Sequence, residues 1–223
     1  MKRLIANWKQ NKNEEDIKVW FDTFYSKPSF HESIEIIIAP SFPYLPICYR
    51  YAASAGLKVA AQNLSEYDRG AHTGQVGADQ IREFAQFVII GHSEARALGE
   101  TYDIISRKIQ NAQNVGLIPI ICFSNIPEYL RAVKVADSTK NVFYAYEPIE
   151  SIGNGNPASL QSIENICREA GIEKLIYGGS VAESNIIDYL DSPLIEGFLV
   201  GGASLDAEKF YNLAKIITTY LRN

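Results

Sequence analysis

The chain has little of what marks many functional classes. Only three of its 223 residues are cysteines, Cys48, Cys122 and Cys167. They are odd in number, widely spaced and without a C-x-x-C pair. They make neither a disulfide framework nor a zinc site, and they fit a reducing cytoplasm. The three histidines, His31, His72 and His92, are equally scattered, which disfavours a metal enzyme. Positive charge is in deficit: 21 Lys and Arg stand against 26 Asp and Glu, a net charge of −5. Without a Lys/Arg-rich run there is no electrostatic footprint for nucleic acid or an anionic membrane. No apolar run approaches the ~18 residues that span a bilayer. The longest near-apolar stretch, 115–123, is broken by Gly116 and Pro119. The N-terminus turns polar at Asn7 after three apolar residues, short of the core of a signal peptide. No low-complexity segment, charge block or Pro/Ser-rich linker marks a boundary, so one domain over residues 1–223 is expected.

What the chain does have is 47% apolar, 21% charged and 11% aromatic residues, a composition suited to a soluble globular protein with a sizeable core. One unit recurs along it. A short run rich in Ile, Val, Leu or aromatics leads into a polar or glycine-bearing turn, then into a helix-period segment. The runs are 4–6, 34–39, 58–61, 87–90, 117–123, 142–146, 174–177 and 198–200. Between them, Ile17, Trp20, Phe21 and Phe24 form one helical stripe, and Ile104, Ile105, Ile109 and Ala112 another. Strands alternating with helices predict parallel βαβ units buried on both faces. Eight units favour a closed (β/α)8 barrel, at the short end for a fold of usually ~250 residues. An open doubly wound sheet of eight strands is the alternative.

Polar residues cluster just after the runs: Asn7 and Lys9, Gln62 and Asn63, His92 to Glu94, Glu147, Gly178 to Ser180, Gly201 and Gly202. In a barrel those positions converge on the C-terminal mouth, where the active sites of the fold lie. Glu147 closes an apolar run, and burial there would disfavour its charged form and make it a stronger base. His92 stands where a strand gives way to a helix start, which favours a neutral imidazole able to donate to a carbonyl oxygen. Lys9, two residues after Asn7, points the same way if the strand continues through Trp8, and could meet an anion. Glycine pairs after the seventh and eighth runs fit a phosphate held by backbone N–H groups. Gly153-Asn154-Gly155 offers the backbone freedom a lid needs. It is not a dinucleotide fingerprint, because Ala158 stands where a further glycine belongs. Taken singly, each has a plainer reading: a solvated carboxylate, a capping histidine, a lysine leaving for solvent, tight turns.

Taken in order they resemble one family, triosephosphate isomerase. The matching stretches are Asn7-Trp8-Lys9, Gln62-Asn63, Gly91-His92-Ser93-Glu94, Ala145-Tyr146-Glu147-Pro148, Ile152-Gly153-Asn154-Gly155, Tyr177-Gly178-Gly179-Ser180-Val181, and the run from Gly197 through Gly201-Gly202 to Leu205. The resemblance implies a (β/α)8 homodimer, cytoplasmic and without cofactor, interconverting dihydroxyacetone phosphate and glyceraldehyde 3-phosphate through an enediolate. By position, Glu147 resembles the base, His92 the neutral electrophile and Lys9 the electrostatic partner of the substrate. Asn7 lies beside Lys9, Glu94 is placed to hold it, and Trp8 is expected to join them in binding substrate. Gly153, Ser180, Gly201 and Gly202 resemble the donors to the phosphate. His72 and Thr73 resemble the loop that enters the neighbouring subunit.

The chain also departs from the family pattern. Ala95 replaces a usual Arg, which bears on a structural or interface contact. Glu150 replaces a usual Trp at the lid hinge. Ser124-Asn125 replaces a usual Gly-Glu that supports the fifth strand end, and Gln10 and Lys12 stand where Met and Gly are more common. The stretch 125–141 is short, so a truncated fifth helix is expected at about 127–136. The nearest rivals are other phosphosugar barrels. A metal-dependent epimerase should offer paired His and Asp at strand ends, and a Schiff-base aldolase a mid-barrel strand-end Lys; neither pattern is present. A phosphate-binding protein that kept the fold and lost turnover is the rival from another class.

Overall fold

The computed structural model describes residues 1–30, 34–137, 139–151 and 156–222. Eight strands form one closed, all-parallel barrel in sequence order: β1 (Lys2–Asn7), β2 (Ile34–Ala39), β3 (Lys58–Ala61), β4 (Phe87–Ile90), β5 (Ile118–Phe123), β6 (Phe143–Tyr146), β7 (Leu175–Tyr177) and β8 (Ile195–Val200). The closing seam pairs β1 with β8, Arg3 opposite Gly197 through Ala6 opposite Val200. The α-helices are α1 (Glu14–Tyr25), α2 (Leu45–Ala53), α3 (Ala78–Arg82), α4 (Ser93–Ala97), α5 (Tyr102–Asn114), α6 (Ile126–Val135), α7 (Leu160–Ala170) and α8 (Ala207–Tyr220). The (β/α)8 barrel expected from the sequence is therefore present, closed rather than open. Its fifth helix is the short α6, one residue earlier than expected. The repeat is not uniform. Two helices follow β4, and between β7 and β8 lies only a 3-10 turn, Ile186–Tyr189.

Strand parity explains both the core and the site. Successive side chains of a strand point to opposite faces. Ile5, Ile37, Ala60, Ile89, Ile120, Ala145, Ile176 and Leu199 fill the lumen. Their neighbours point outward under the helices. Leu4, Ala6, Ile36, Ile38 and Phe198 pack with Trp20, Phe21 and Phe24 of α1 and Phe210 of α8. On the other side Val59, Val88, Ile90 and Ile121 meet Ile81, Ile105 and Ile109. Burial on both faces is why the strands read as near-continuous apolar runs. One step of two residues beyond the top of the lumen leads from Ile5 to Asn7, from Ala145 to Glu147, from Ile176 to Gly178 and from Leu199 to Gly201. The strand ladder continues past the formal ends: Glu147 N–H donates to Phe123 O at 2.8 Å and Gly178 N–H to Tyr146 O at 2.9 Å. Among the described residues no helix is long and apolar enough to cross a membrane.

Candidate active site

A cavity of about 310 Å³ opens at the C-terminal mouth, lined by Asn7, Lys9, His92, Glu147, Gly178, Ser180, Gly201 and Gly202, among others. A larger cavity of about 560 Å³ lies elsewhere, bounded by Phe24, Tyr25, Phe30, Ile36 and Leu57. It gathers no comparable set of acid, base and glycine-lined backbone, so chemistry and not size selects the site.

Glu147 is buried at 1% exposure. Its Oε1 lies 3.0 Å from His92 Nε2, and its Oε2 accepts the Ser93 N–H at 3.0 Å. Burial pushes its pKa up, but the hydrogen bond from His92, the Ser93 N–H and the Arg96 guanidinium together hold the carboxyl below its ordinary value. The sequence reading considered burial alone; in the resting arrangement, the hydrogen bonds and neighbouring charge together outweigh it. Beside Glu147, the Cys122 thiol is pushed well above its ordinary range by burial first and by the Glu147 charge second.

His92 is the N-cap of α4, and its Nδ1 accepts the Glu94 N–H at 3.2 Å. A nitrogen accepting that bond carries no proton, so the ring is the neutral tautomer with its proton on Nε2, directed at Glu147. Gly91, with φ of 69°, breaks strand parity and turns His92 toward the mouth. Here a side chain would meet Ile105 Cδ1 at 3.1 Å as well as an unfavourable backbone angle.

Lys9 reaches the cavity differently from what alternation implied. The strand ends at Asn7, and Lys9 sits in the left-handed region with φ of 52°. Gln62 Nε2 holds it there by donating to Lys9 O at 2.9 Å and to Ala39 O at 2.8 Å. Lys9 N–H donates to Asn7 Oδ1 at 3.2 Å, and Lys9 Nζ lies 2.6 Å from Glu94 Oε1. Trp8 corrects the sequence reading. It has the parity of Leu4 and Ala6, is fully buried under α1, and does not line the cavity. Its Nε1 instead donates to Ser204 O at 3.2 Å, in the 3-10 turn Gly202–Leu205.

The glycine side of the cavity is equally constrained. A Cβ on Gly179 would lie 2.6 Å from Tyr177 Oη, whereas one on Gly202 would meet nothing within 4 Å, on the side where a ligand has room. Ser180, with φ of 50°, donates its hydroxyl to Ser151 O at 2.5 Å. Glu150 lies in the 3-10 turn Ile149–Ser151. Gly153, with the rest of the lid stretch, lies outside the described residues. His72 and Thr73 lie on an exposed loop, where the His72 ring stacks on Tyr67 with centroids 4.2 Å apart.

Sequence reasoning missed the support behind His92. Arg96 Nη1 donates to Gly91 O and, at 3.2 Å, to Cys122 O, while Nη2 donates to Ser124 Oγ. Its counter-ion is Glu128, 3.4 Å away, which also accepts the Ser124 N–H at 2.6 Å. The carboxylate absent at Asn125 is thus supplied from one turn into α6. The readable signal was Asn125-x-x-Glu128, the pattern of a helix start with an acidic third residue.

The family model described as triosephosphate isomerase matches residues 2–217. A triosephosphate isomerase of Aquifex aeolicus is 34% identical, the match covering 99% of this chain and 100% of the relative. Those of Mesomycoplasma hyopneumoniae and Streptococcus suis are each 35% identical, covering 94% of this chain and 96% of the relative.

Proposed function

The chain belongs to the triosephosphate isomerase family, and we propose that its interconversion of dihydroxyacetone phosphate and glyceraldehyde 3-phosphate is carried by Glu147, His92, Lys9 and Asn7. The carrying observation is the contact of a buried carboxylate with a neutral imidazole N–H, 3.0 Å apart at the barrel mouth.

Substrate entering the cavity takes the His92 Nε2–H onto its carbonyl oxygen, and the hydrogen bond to Glu147 is given up. Released from that bond, the carboxylate loses one of the interactions that lower its pKa while its burial remains, so its basicity rises when a carbon acid is at hand. Glu147 then takes the proton from the carbon next to the carbonyl. The electron pair moves onto the oxygen facing His92 and Lys9, whose dipole and charge are in place before it arrives. His92 passes a proton between the two oxygens, and Glu147 returns its proton to the neighbouring carbon. Nothing is oxidised or reduced overall and no cofactor is called for. Backbone N–H groups of Gly153, Ser180, Gly201 and Gly202 hold the phosphate, with Glu94 steadying Lys9. Exclusion of water by the 152–155 stretch would protect the enediolate and strengthen the charges around it.

We further read residues 1–223 as one domain, supported by the pairing of the first strand with the last, and as a cytoplasmic protein, supported by three buried free thiols. A homodimer is supported by Tyr67, 45% exposed and stacked on His72 of the exposed loop that also carries Thr73, and by the apolar Leu98 at 91% exposure elsewhere on the surface. A monomer made by altering Thr73 and its neighbours should lose most activity; full activity in such a monomer would contradict the reading.

The test is turnover of glyceraldehyde 3-phosphate by wild type beside Glu147→Gln. Loss of a positioned base should slow turnover by about 100- to 10 000-fold. Full activity in the variant would remove Glu147 from the role. A folded wild type that binds phosphate without turnover would favour a binding protein.

A further inference from the structure

We infer that Lys12 is a positioning residue for the anion-binding side of the cavity, its ammonium bracing the 3-10 turn Gly202–Leu205 from behind. The inference rests on the proposed phosphate-binding role of Gly201 and Gly202.

Lys12 occupies a position that works against it twice. Its φ of 68° lies in the left-handed region, which L side chains other than Asn and Asp rarely adopt. Its ammonium is partly desolvated, and burial lowers its pKa against the opposing charges of Asp16 and Asp206. In return Nζ donates to Leu205 O at 2.7 Å, linking the loop after β1 to the last carbonyl of the turn. The same ammonium lies 5.4 Å from the Trp8 ring centroid, so the indole backs it.

The bond belongs to a larger grip on one end of the turn. Ser204 O accepts from Trp8 Nε1 at 3.2 Å and from Trp20 Nε1 at 3.0 Å. Ser204 closes the turn on itself, its N–H and hydroxyl donating to Gly201 O at 2.9 Å and 2.7 Å. Three donors from outside the turn therefore hold the Ser204 and Leu205 carbonyls, while Gly202 at the opposite end lines the cavity. Two of the three grips come from fully or almost fully buried indoles fixed by the core. Lys12 joins Trp8, the residue before Lys9, in tying the turn to the loop bearing Lys9, the charge expected to meet the substrate, and it fixes the far end of that loop. Without it, the separation between Lys9 and the phosphate-binding backbone is less well fixed, and binding should suffer more than the chemical step.

The test compares Lys12→Asn, which tolerates a left-handed φ without supplying an ammonium, with Lys12→Arg, which restores a cation. The readouts are kcat and KM for glyceraldehyde 3-phosphate, the Kd for inorganic phosphate, and the melting temperature. Lys12→Asn should raise KM and the phosphate Kd by about 5- to 10-fold, less than the full worth of one hydrogen bond from a charged group, because the two indole grips on the turn remain. Its kcat should stay within about twofold and its melting temperature should not fall, because backbone strain is relieved. Lys12→Arg should recover most of the binding. The ratio between wild type and Lys12→Asn should persist at high ionic strength, where a distant point charge would be screened. Unchanged KM and Kd in Lys12→Asn, a fall in kcat alone, or a ratio that vanishes with salt would each overturn the inference. Gly202→Val tests the underlying reading separately, since its side chain would grow into the open space of the cavity. Phosphate binding unaffected by Gly202→Val would remove the anion site and the brace with it. Binding lost in Gly202→Val but untouched in Lys12→Asn would overturn the brace alone.

Discussion

Replacing Glu128 with Ala removes two interactions at the end of β5, besides its side-chain hydrogen bond with Tyr102. The Ser124 N–H loses its acceptor at 2.6 Å, and Arg96 loses a counter-ion at 3.4 Å. An unpaired, partly buried amide costs about 1 kcal/mol. The ion pair is harder to place. At 13% and 16% exposure the two side chains lie between surface pairs worth about 0–1 kcal/mol and buried pairs whose disruption costs about 3–5 kcal/mol. Arg96 keeps its bonds to Gly91 O, Cys122 O and Ser124 Oγ, which argues for the lower half of that range, about 1–2 kcal/mol. The sum, about 2–3 kcal/mol, corresponds to a fall in melting temperature of about 4–12 °C for a chain of this size. Glu128→Gln keeps an acceptor for Ser124 and should lose roughly half as much. Because Arg96 keeps its bond to Gly91 O, the residue before His92, kcat in Glu128→Ala should stay within about tenfold of wild type. Calorimetric melts of both variants with steady-state turnover decide the matter. A Glu128→Ala protein melting within about 1 °C of wild type would refute the argument, as would equal losses for Gln and Ala.

Three further outcomes follow from the geometry. Gly197→Ala would bring a Cβ within 2.6 Å of Arg3 O at the β1–β8 seam, where neither backbone can yield without opening the barrel, so it should cost about 3 kcal/mol or prevent folding, as read by denaturant melts. Burial raises the Cys48 thiol to about 12 and the Cys167 thiol to about 11, and holds the Cys122 thiol well above its ordinary range. A disulfide reagent at mildly alkaline pH should therefore react slowly with the native protein and rapidly with three thiols once it is unfolded; a fast native thiol would contradict this. The Glu147 carboxyl, held below its ordinary value of 4.5, stabilises the resting fold above that value and loses the contribution as pH falls through its lower folded value. The stability difference between wild type and Glu147→Gln, from urea melts at falling pH, should accordingly shrink on the acid side of about 4.5; a gap that widened there would reverse the sign.

Much of the architecture was legible because a parallel barrel leaves a simple imprint. Each strand is buried on both faces, so its run is apolar throughout, and runs at 34–39, 58–61 and 87–90 coincide with β2, β3 and β4. Less legible were ends held by pairing and not by composition. β8 begins at Ile195, although Glu196 and Gly197 interrupt the apolar signal, because Arg3 at the seam donates to the Glu196 carboxylate at 2.9 Å. The 3-10 turn between β7 and β8 was hidden for a similar reason. Ile186, Tyr189 and Leu190 are as apolar as a helix stripe and are buried, but the segment is too short to complete a helix.

The site divides along the same physical line. Asn7, Glu147, Gly178 and Gly201 could be placed at the mouth by counting two residues from a lumen position, since alternation persists while the ladder does. Trp8 was misjudged because its neighbours at the mouth suggested a shared role, although the same parity puts it outside the barrel, where its N–H serves the turn Gly202–Leu205. His92 and Lys9 could not be placed by parity at all, because Gly91 and Lys9 itself adopt left-handed angles that reset the count. Their presence at the mouth depends on partners distant in sequence: Arg96 drawing on Gly91 O and Gln62 drawing on Lys9 O. Such contacts follow from the closed barrel and are not written in either local segment. The direction of the Glu147 shift has the same origin. Burial, which the sequence did announce, raises it, while the His92 Nε2–H and the Ser93 N–H, delivered by the turn after β4, lower it together with the Arg96 guanidinium, and the sum outweighs burial. A base held by bonds that its substrate must displace is poised by tertiary structure, and its basicity is therefore set by what occupies the cavity as much as by where the residue lies.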